Sequence, residues 1–554
     1  MFWLVVLALV MAFSWILPNH YYPWAGFHMD AVMACALLAA SLWLIGKDRA
    51  PIPFTALPLI AFMLLMVIAL QYATGLVRQA GNAWVSTAYV LGFICAWAAG
   101  NRWARIGKWQ AADGLFLAIG IAAFLSVGLQ LHQWLQLDRL DIWSMGGGES
   151  RPYANMGQPN QLGTLLLWGV LALFWGLVRS RVRASVATLG IAFLLFGVAL
   201  TLSRTAWLGL ALLLVMMWCW RDRWPSHRAP WVASALAVYF VACIFFVRWV
   251  PHALWGDSPG WADIAGIGST SRPALWALFV DAVKHAPWFG YGWNQTGLAH
   301  IVMALSHPPL FEYFQSAHNF FLDLVLWCGL PIGVAVSSYL IWWMVASWWR
   351  VKTPEGRILW LFLLVVANHA MLELPLYYAY FLLPVGLVMG LLDVQLGSRP
   401  LFFVAWKANG LILAVAAALL ILLIRDYSGV EKMYVRLRYQ WAGIQTDKVL
   451  PPDVILLTQW RDFYRVTQQD PTKKTSEEEM ALIQQAVSLN PNSGFFQLFA
   501  LGWAQRGEPE KAAQALDTMC SIFTPAVCNS VKRFWIHRAQ YDAVVASVPW
   551  PRKN

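Results

Sequence analysis

Long apolar stretches separated by short polar connections run from the first residues of this chain to about residue 424. They lie near 2–17, 28–46, 53–73, 83–100, 112–133, 160–178, 184–201, 205–220, 231–250, 318–346, 358–371, 376–394 and 402–424, about thirteen in all. A helix crosses a bilayer core of about 30 Å with roughly 20 residues, so most of these runs are long enough to span. Helices are predicted over strands because a backbone in lipid must satisfy its own hydrogen bonds, and the alternation of a barrel is absent. The predicted class is all-α: a polytopic transmembrane helical protein.

Charge then orients the helices. Lys47 and Arg49; Arg102, Arg105 and Lys108; Arg179, Arg181 and Arg183; Arg221, Arg223 and Arg228; Arg350, Lys352 and Arg357; and Arg399 occupy every second connection. The positive-inside rule makes those connections cytoplasmic, with the N-terminus inside and the C-terminal tail outside. The N-terminus has no basic region and no small-residue cleavage site, so it is predicted to stay as the first span. With 60% hydrophobic and 12% charged residues, the chain is not of the soluble globular class. The net charge of +11 forms no stripe that would read nucleic acid.

Three regions break the rhythm. The connection 134–159 carries Trp143, the run Gly146 to Gly148 and a polar segment from Arg151 to Gln161. The segment 251–317 is predicted to hold an amphipathic helix from Arg272 to Lys284, with Pro273 just inside its start. The tail, 425–554, holds 13 of the chain's 28 acidic residues and is predicted to be a separate solvated domain. Within it, Asn490 to Leu516 has the spacing of a tetratricopeptide-like helix pair, which must pack on helices at 474–489 and 511–545. A protein-docking module and a structural cap on the membrane domain both fit this tail. Cys520 and Cys528 lie in the tail, where an oxidising compartment would let them pair. The other five cysteines lie in spans as small packing residues.

The alternating topology places Arg204, Arg272 and the segment Ala317-His318-Asn319 on one outer face. Arg204 stands between two apolar runs with almost no connection, where an arginine costs about 2.5–3.5 kcal/mol at full membrane depth and so has a partner or a task. It suits a phosphate of a lipid carrier, or else anchors the interface. Arg272 opens a helix, whose free N–H groups together with a guanidinium fit phosphate oxygens. Two arginines match the charge that develops on a diphosphate leaving group. His318, at the water–membrane boundary beside Asn319, can accept a hydroxyl proton near neutral pH or serve structurally. Gln158, Asn160 and Gln161 enter a span behind Pro159; their amides suit sugars or phosphate, or cap the helix. Glu373 and the tyrosines from Tyr377 to Tyr380 form a further outer cluster that also reads as an aromatic belt, with His369 nearby. There is no P-loop, no dinucleotide fingerprint and no serine elbow; Asp138 and Asp141 are the nearest thing to a carboxylate pair, so metal-dependent transfer is disfavoured.

The runs Pro18 to Trp24, Asn155 to Gly163, Ser203 to Trp207, Ser271 to Pro273 and Ala317 to Asp323 resemble, in their order, the PglL-type bacterial protein O-oligosaccharyltransferases of the O-antigen ligase and polymerase superfamily. The resemblance spans nearly the whole chain, including the tail. It implies en bloc transfer of a glycan from undecaprenyl diphosphate to Ser or Thr hydroxyls of a periplasmic protein, often a type IV pilin. The enzyme would work in the bacterial inner membrane with no metal or other cofactor. By position, Arg204 and Arg272 would hold the diphosphate, His318 would orient or deprotonate the acceptor, and Gln158 or Gln161 would place the donor, with Asn160 and Asn319 beside them. Tyr378 matches a functional tyrosine, with Tyr377 and Tyr380 equally near. Gly163 stands where the family pattern has alanine, a departure expected to matter little. The nearest rival is a ligase or polymerase acting on lipid-linked glycan. A transporter would place its polar sites at the midplane, and a scaffold would use only the tail.

Overall fold

In the computed structural model, the described residues are 2–137, 142–145, 151–255, 271–444 and 449–550. Asp138, Asp141, the Gly146 to Gly148 run and residues 256–270 of the long connection lie outside them. The described chain is nearly all helix. Its elements are α1 (Phe2–Ile16), α2 (Phe27–Lys47), α3 (Ala56–Ala73), α4 (Ala80–Gly107), α5 (Gln110–Trp134), α6 (Pro159–Val178), α7 (Ala184–Thr201), α8 (Arg204–Cys219) and α9 (Ala229–Trp255). They continue as α10 (Ser271–His285), α11 (Thr296–Met303), α12 (Phe320–Arg350), α13 (Pro354–Ala370), α14 (Ala379–Gln395) and α15 (Trp406–Trp441). The tail adds α16 (Thr458–Thr467), α17 (Glu477–Leu489), α18 (Ser493–Ala504), α19 (Pro509–Ile522), α20 (Pro525–Ala539) and α21 (Ala543–Ala546).

Among the described residues nine helices are long and apolar enough to cross a membrane: α2 to α7, α9, α12 and α15. Three more, α1, α8 and α14, are apolar but shorter. Two predicted spans give up their first residues to a strand pair. Ile52–Phe54 (β1) pairs antiparallel with Phe402–Val404 (β2), Ile52 opposite Val404, so the fold is not purely helical. Pro51 and Pro53 bias Ala50 and Ile52 toward extended backbone, since proline disfavours the helical region for the residue before it. The last apolar run, expected to end at 424, instead continues as helix to Trp441.

The chain divides into two compact units, Met1–Leu64 with Ala88–Ser269 and Tyr339–Ile421, and Leu65–Thr87 with Thr270–Ser338 and Leu422–Asn554. In the first, α6 is the packing centre, touching α5, α7, α8 and α13. Small residues permit the approach: a Cβ on Gly163 would stand 2.6 Å from the Ala206 Cβ, and one on Gly169 2.6 Å from that of Ala123. Gly163 is therefore a packing requirement in this chain.

In the second unit α12 is broken where the sequence pattern predicts a continuous span. Gly329 has φ of 78° and Pro331 follows. The groups freed by the break find partners in the preceding segment: Tyr291 N–H donates to Leu326 O at 2.7 Å, and Leu330 N–H to Pro287 O at 2.7 Å. The tail helices build their own core around Phe496, Leu501, Leu516 and Met519, joined by Ala304 from the segment after α11. The 490–516 stretch forms the packed pair α18 and α19, with α17 and α20 against its sides. A capping box at Ser476 and Glu479 starts α17, and Cys520 and Cys528 are disulfide-bonded.

Candidate active site

The first unit gathers five of the predicted residues around one turn. α7 ends in the left-handed Leu202 (φ 48°), and Ser203 caps α8 by accepting Ala206 N–H at 3.1 Å. Arg204 is thus the first residue of α8, beside the helix's free N–H groups, with its side chain exposed and no ion pair to any described residue. Arg151 braces the same turn, its Nε donating to Thr201 O at 3.0 Å. Burial holds the Arg151 guanidinium below its usual pKa range, nearby Arg204 adds to that, and Glu373 opposes it.

Asn160 links this turn to α6. Its Oδ1 accepts the Ser203 hydroxyl at 2.6 Å and its Nδ2 donates to Glu373 Oε1 at 3.1 Å, while Gln158 Nε2 lies 3.5 Å from Glu373 Oε2. Gln158 begins α6 without a side-chain capping bond, so its amide is directed to the carboxylate and not to its own helix. Gln161 is buried and accepts the Tyr380 hydroxyl at 2.8 Å; it also reaches the Tyr378 hydroxyl. Gly26 leaves room for the Tyr378 ring, since a Cβ there would stand 2.9 Å away. Thr164 and His369 Nδ1 pair at 2.8 Å one turn deeper.

The segment bearing these amides is held from outside. Gln133 Oε1 accepts Tyr153 and Ala154 N–H at 3.1 and 2.8 Å, and Asn155 Nδ2 donates to Ile16 O at 2.7 Å and Trp143 O at 2.8 Å. The His20 ring sits where a Gly157 side chain would be.

The second unit holds the other three residues. Arg272 is half-buried in the first turn of α10. One turn on, Trp276 Nε1 donates to Ala317 O at 2.9 Å, which ties that helix to the residue before His318. Asp323, 1% exposed, holds the opposite side: it accepts Ala317 N–H at 2.9 Å, the Ser316 hydroxyl at 2.7 Å and the Thr296 hydroxyl at 2.8 Å. Ser316 Oγ in turn accepts His318 N–H at 3.0 Å. His318 is left half-buried with φ of 52°, its ring edge-on to Phe314. Non-glycine residues take that conformation at a cost, and persist in it where surrounding bonds over-determine it. Asn319 caps α12, its Oδ1 accepting Leu322 N–H at 3.1 Å.

Three carboxylates were not predicted as site residues. In the sequence Glu373 stands within an outer cluster and Asp323 at the end of a motif. Asp30, inside α2, accepts the Tyr89 hydroxyl at 2.5 Å and Tyr380 N–H at 3.2 Å. A carboxylate within an apolar run was the available signal for Asp30 and Asp323.

Residues 189–337 match the family described as O-antigen ligase, residues 358–528 that described as virulence factor membrane-bound polymerase, C-terminal, and residues 152–175 that described as protein glycosylation ligase. A curated general O-oligosaccharyltransferase of Acinetobacter baylyi is 30% identical over 439 residues, covering 77% of this chain and 76% of the relative. A ComP-specific O-oligosaccharyltransferase of the same species is 32% identical over 248 residues, 44% of each chain. On that similarity, and with its series of membrane-length apolar helices, the chain belongs to the PglL-type bacterial protein O-oligosaccharyltransferases, multi-pass membrane enzymes that transfer oligosaccharide to protein.

Proposed function

We propose that the donor is an oligosaccharide on undecaprenyl diphosphate and that the acceptor is a Ser or Thr hydroxyl of a periplasmic protein such as a type IV pilin. The observation that carries this is Arg204: an exposed guanidinium at a helix N-terminus, with Arg151 braced on the same turn and no carboxylate paired to Arg204 among the described residues. Such a corner supports an anionic ligand with several oxygens. Arg204 and Arg272 hold the diphosphate, and Gln158, Asn160 and Gln161, with Tyr378, place the donor. The acceptor oxygen attacks the anomeric carbon while the bond from that carbon to the diphosphate oxygen breaks, and the electron pair leaves with the diphosphate. The hydroxyl proton passes to the His318 ring, Asn319 shaping the loop beside it. Positioning and charge stabilisation carry most of the effect, because the leaving group is already good.

The topology belongs to the same proposal: about thirteen crossings in the inner membrane, the N-terminus cytoplasmic, and the site, the 251–317 segment and the 425–554 tail periplasmic. The six basic connections on alternate turns support it. The tail, with its tetratricopeptide-like pair, serves as the acceptor-docking module. The match to protein glycosylation ligase and the two relatives named O-oligosaccharyltransferases, one general and one ComP-specific, support a protein acceptor over lipopolysaccharide.

The test is intact mass of a pilin co-expressed with this protein and a lipid-linked oligosaccharide in a host without its own ligase. A glycan-sized gain is expected, reduced at least ~100-fold by each of His318→Ala, Arg204→Ala and Arg272→Ala. Glycan on lipopolysaccharide with none on protein would move the activity to the ligase reading. Full glycosylation in an arginine variant would remove that residue from the mechanism.

A further inference from the structure

The first unit contains a cavity of about 440 Å³ between α6, α7, α8 and α9, which no step of the transfer uses. Its walls include Leu171, Phe174, Ile191, Leu213, Met217 and Leu236. Its size lies within the usual range of ligand sites, about 300–1,000 Å³. At one end its lining changes character, to Ser226 and Arg228 in the connection before α9 and to Ala184 at the start of α7, whose N-cap is Arg183. Arg183 and Arg228 are both exposed, and neither forms an ion pair with a described residue.

The cavity opens at the far end of α8 from the proposed diphosphate corner. Arg204 begins that helix, and the cavity touches it only from Leu210 to Met217, roughly 9–20 Å further along at 1.5 Å per residue. An aliphatic shaft with Arg228 in its lining, and Arg183 next in the chain to the lining residue Ala184, has the polarity of one lipid acyl chain beneath a phosphate-bearing headgroup. A neutral or zwitterionic lipid would satisfy the shaft and leave the two guanidinium groups without a matching net charge.

We infer that this cavity is a binding site for one acidic glycerophospholipid, an acyl chain between α6, α7, α8 and α9 and the phosphate at Arg183 and Arg228. The occupant is a structural lipid of the leaflet that faces the basic connections, and not the glycan donor. The site does not depend on the roles proposed for Arg204 or His318.

The experiment is native mass spectrometry of the full-length protein, delipidated in detergent and then exchanged with vesicles of phosphatidylcholine containing phosphatidylglycerol. One phosphatidylglycerol adduct is expected to survive activation with a preference over phosphatidylcholine on the order of tenfold. The Arg183→Gln/Arg228→Gln double variant, which leaves the helix packing intact, is expected to lose the preference while still retaining lipid. Leu213→Trp, which fills the shaft, is expected to lose the retained adduct. Equal retention of the two lipids by the wild type would overturn the inference. So would a preference that persists in the double-arginine variant, or stoichiometric displacement of phosphatidylglycerol by a polyprenyl phosphate.

Discussion

Replacing Asp323 with alanine is the sharpest test of how the second unit presents His318. The carboxylate accepts hydrogen bonds from Thr296, Ser316 and Ala317 at 2.7–2.9 Å in a site 1% exposed. Bonds to a charged acceptor contribute about 1.5–3 kcal/mol each, and buried donors left unmet cost about 1–3 kcal/mol each. Since Ser316 and Thr296 can turn their hydroxyls elsewhere, we take a net loss of about 4 kcal/mol, at the upper end for one substitution. The left-handed backbone of His318 stores on the order of 1 kcal/mol, which those bonds outweigh. Without them the loop relaxes, and misplacement by about 1 Å costs roughly 100-fold in rate. Asp323→Asn keeps two acceptor bonds and turns an NH₂ toward Ser316 Oγ, which already accepts His318 N–H; about tenfold is expected. The assay is single-turnover transfer to pilin by intact mass, with thermal unfolding as the control for folding. In a His318→Ala background, Asp323→Ala should cost nothing further if it acts through the imidazole. A wild-type rate in Asp323→Ala, or an undiminished loss in the His318→Ala background, would refute this account.

Glu373→Gln replaces an acceptor oxygen facing the Gln158 and Asn160 amides, so the donor KM should rise about tenfold with kcat changed less; the reverse split would place Glu373 in the chemistry. Gly163→Ala drives a methyl against Ala206 and should destabilise the α6–α8 contact by about 1–3 kcal/mol, seen as a lower Tm in detergent. His300 is buried against Tyr313 and Phe279, outside the apolar spans, and burial pushes its pKa from 6.5 down to about 4. Between those pH values the unfolded chain binds the extra proton. Stability from the neutral ring is therefore complete above pH 6.5 and falls by about 3 kcal/mol as pH drops to 4, and His300→Gln should flatten that slope in pH-dependent unfolding. Opening the Cys520–Cys528 bond, with a sequence separation of 8, should cost the tail about 2.5 kcal/mol by loop entropy; a Cys520→Ser/Cys528→Ser variant should unfold earlier yet still transfer glycan.

Hydrophobic periodicity by itself determined the helices. All thirteen apolar runs are helical over most of their length, because a membrane-length apolar segment has few other ways to satisfy its backbone. Local chemistry also set the start of α6 at Pro159, the Ser203 cap and the amphipathic α10. The exceptions are positions where a partner far along the chain decides the backbone. β1 needs β2, some 350 residues away, and the break at Gly329 needs the carbonyl of Pro287 and the N–H of Tyr291. The same division holds for the site. Arg204, Arg272, His318 and the amides at the start of α6 stand out in the sequence as candidates because polar groups at the ends of apolar runs are few and costly. Glu373, Arg151 and Asp323 were not assigned, since what they hold is visible only once Asn160, Thr201 and Thr296 have been folded against them. Sequence determines which groups must be satisfied, because desolvation is a property of each residue; tertiary structure decides by whom, because hydrogen bonds are made between residues the chain order keeps apart.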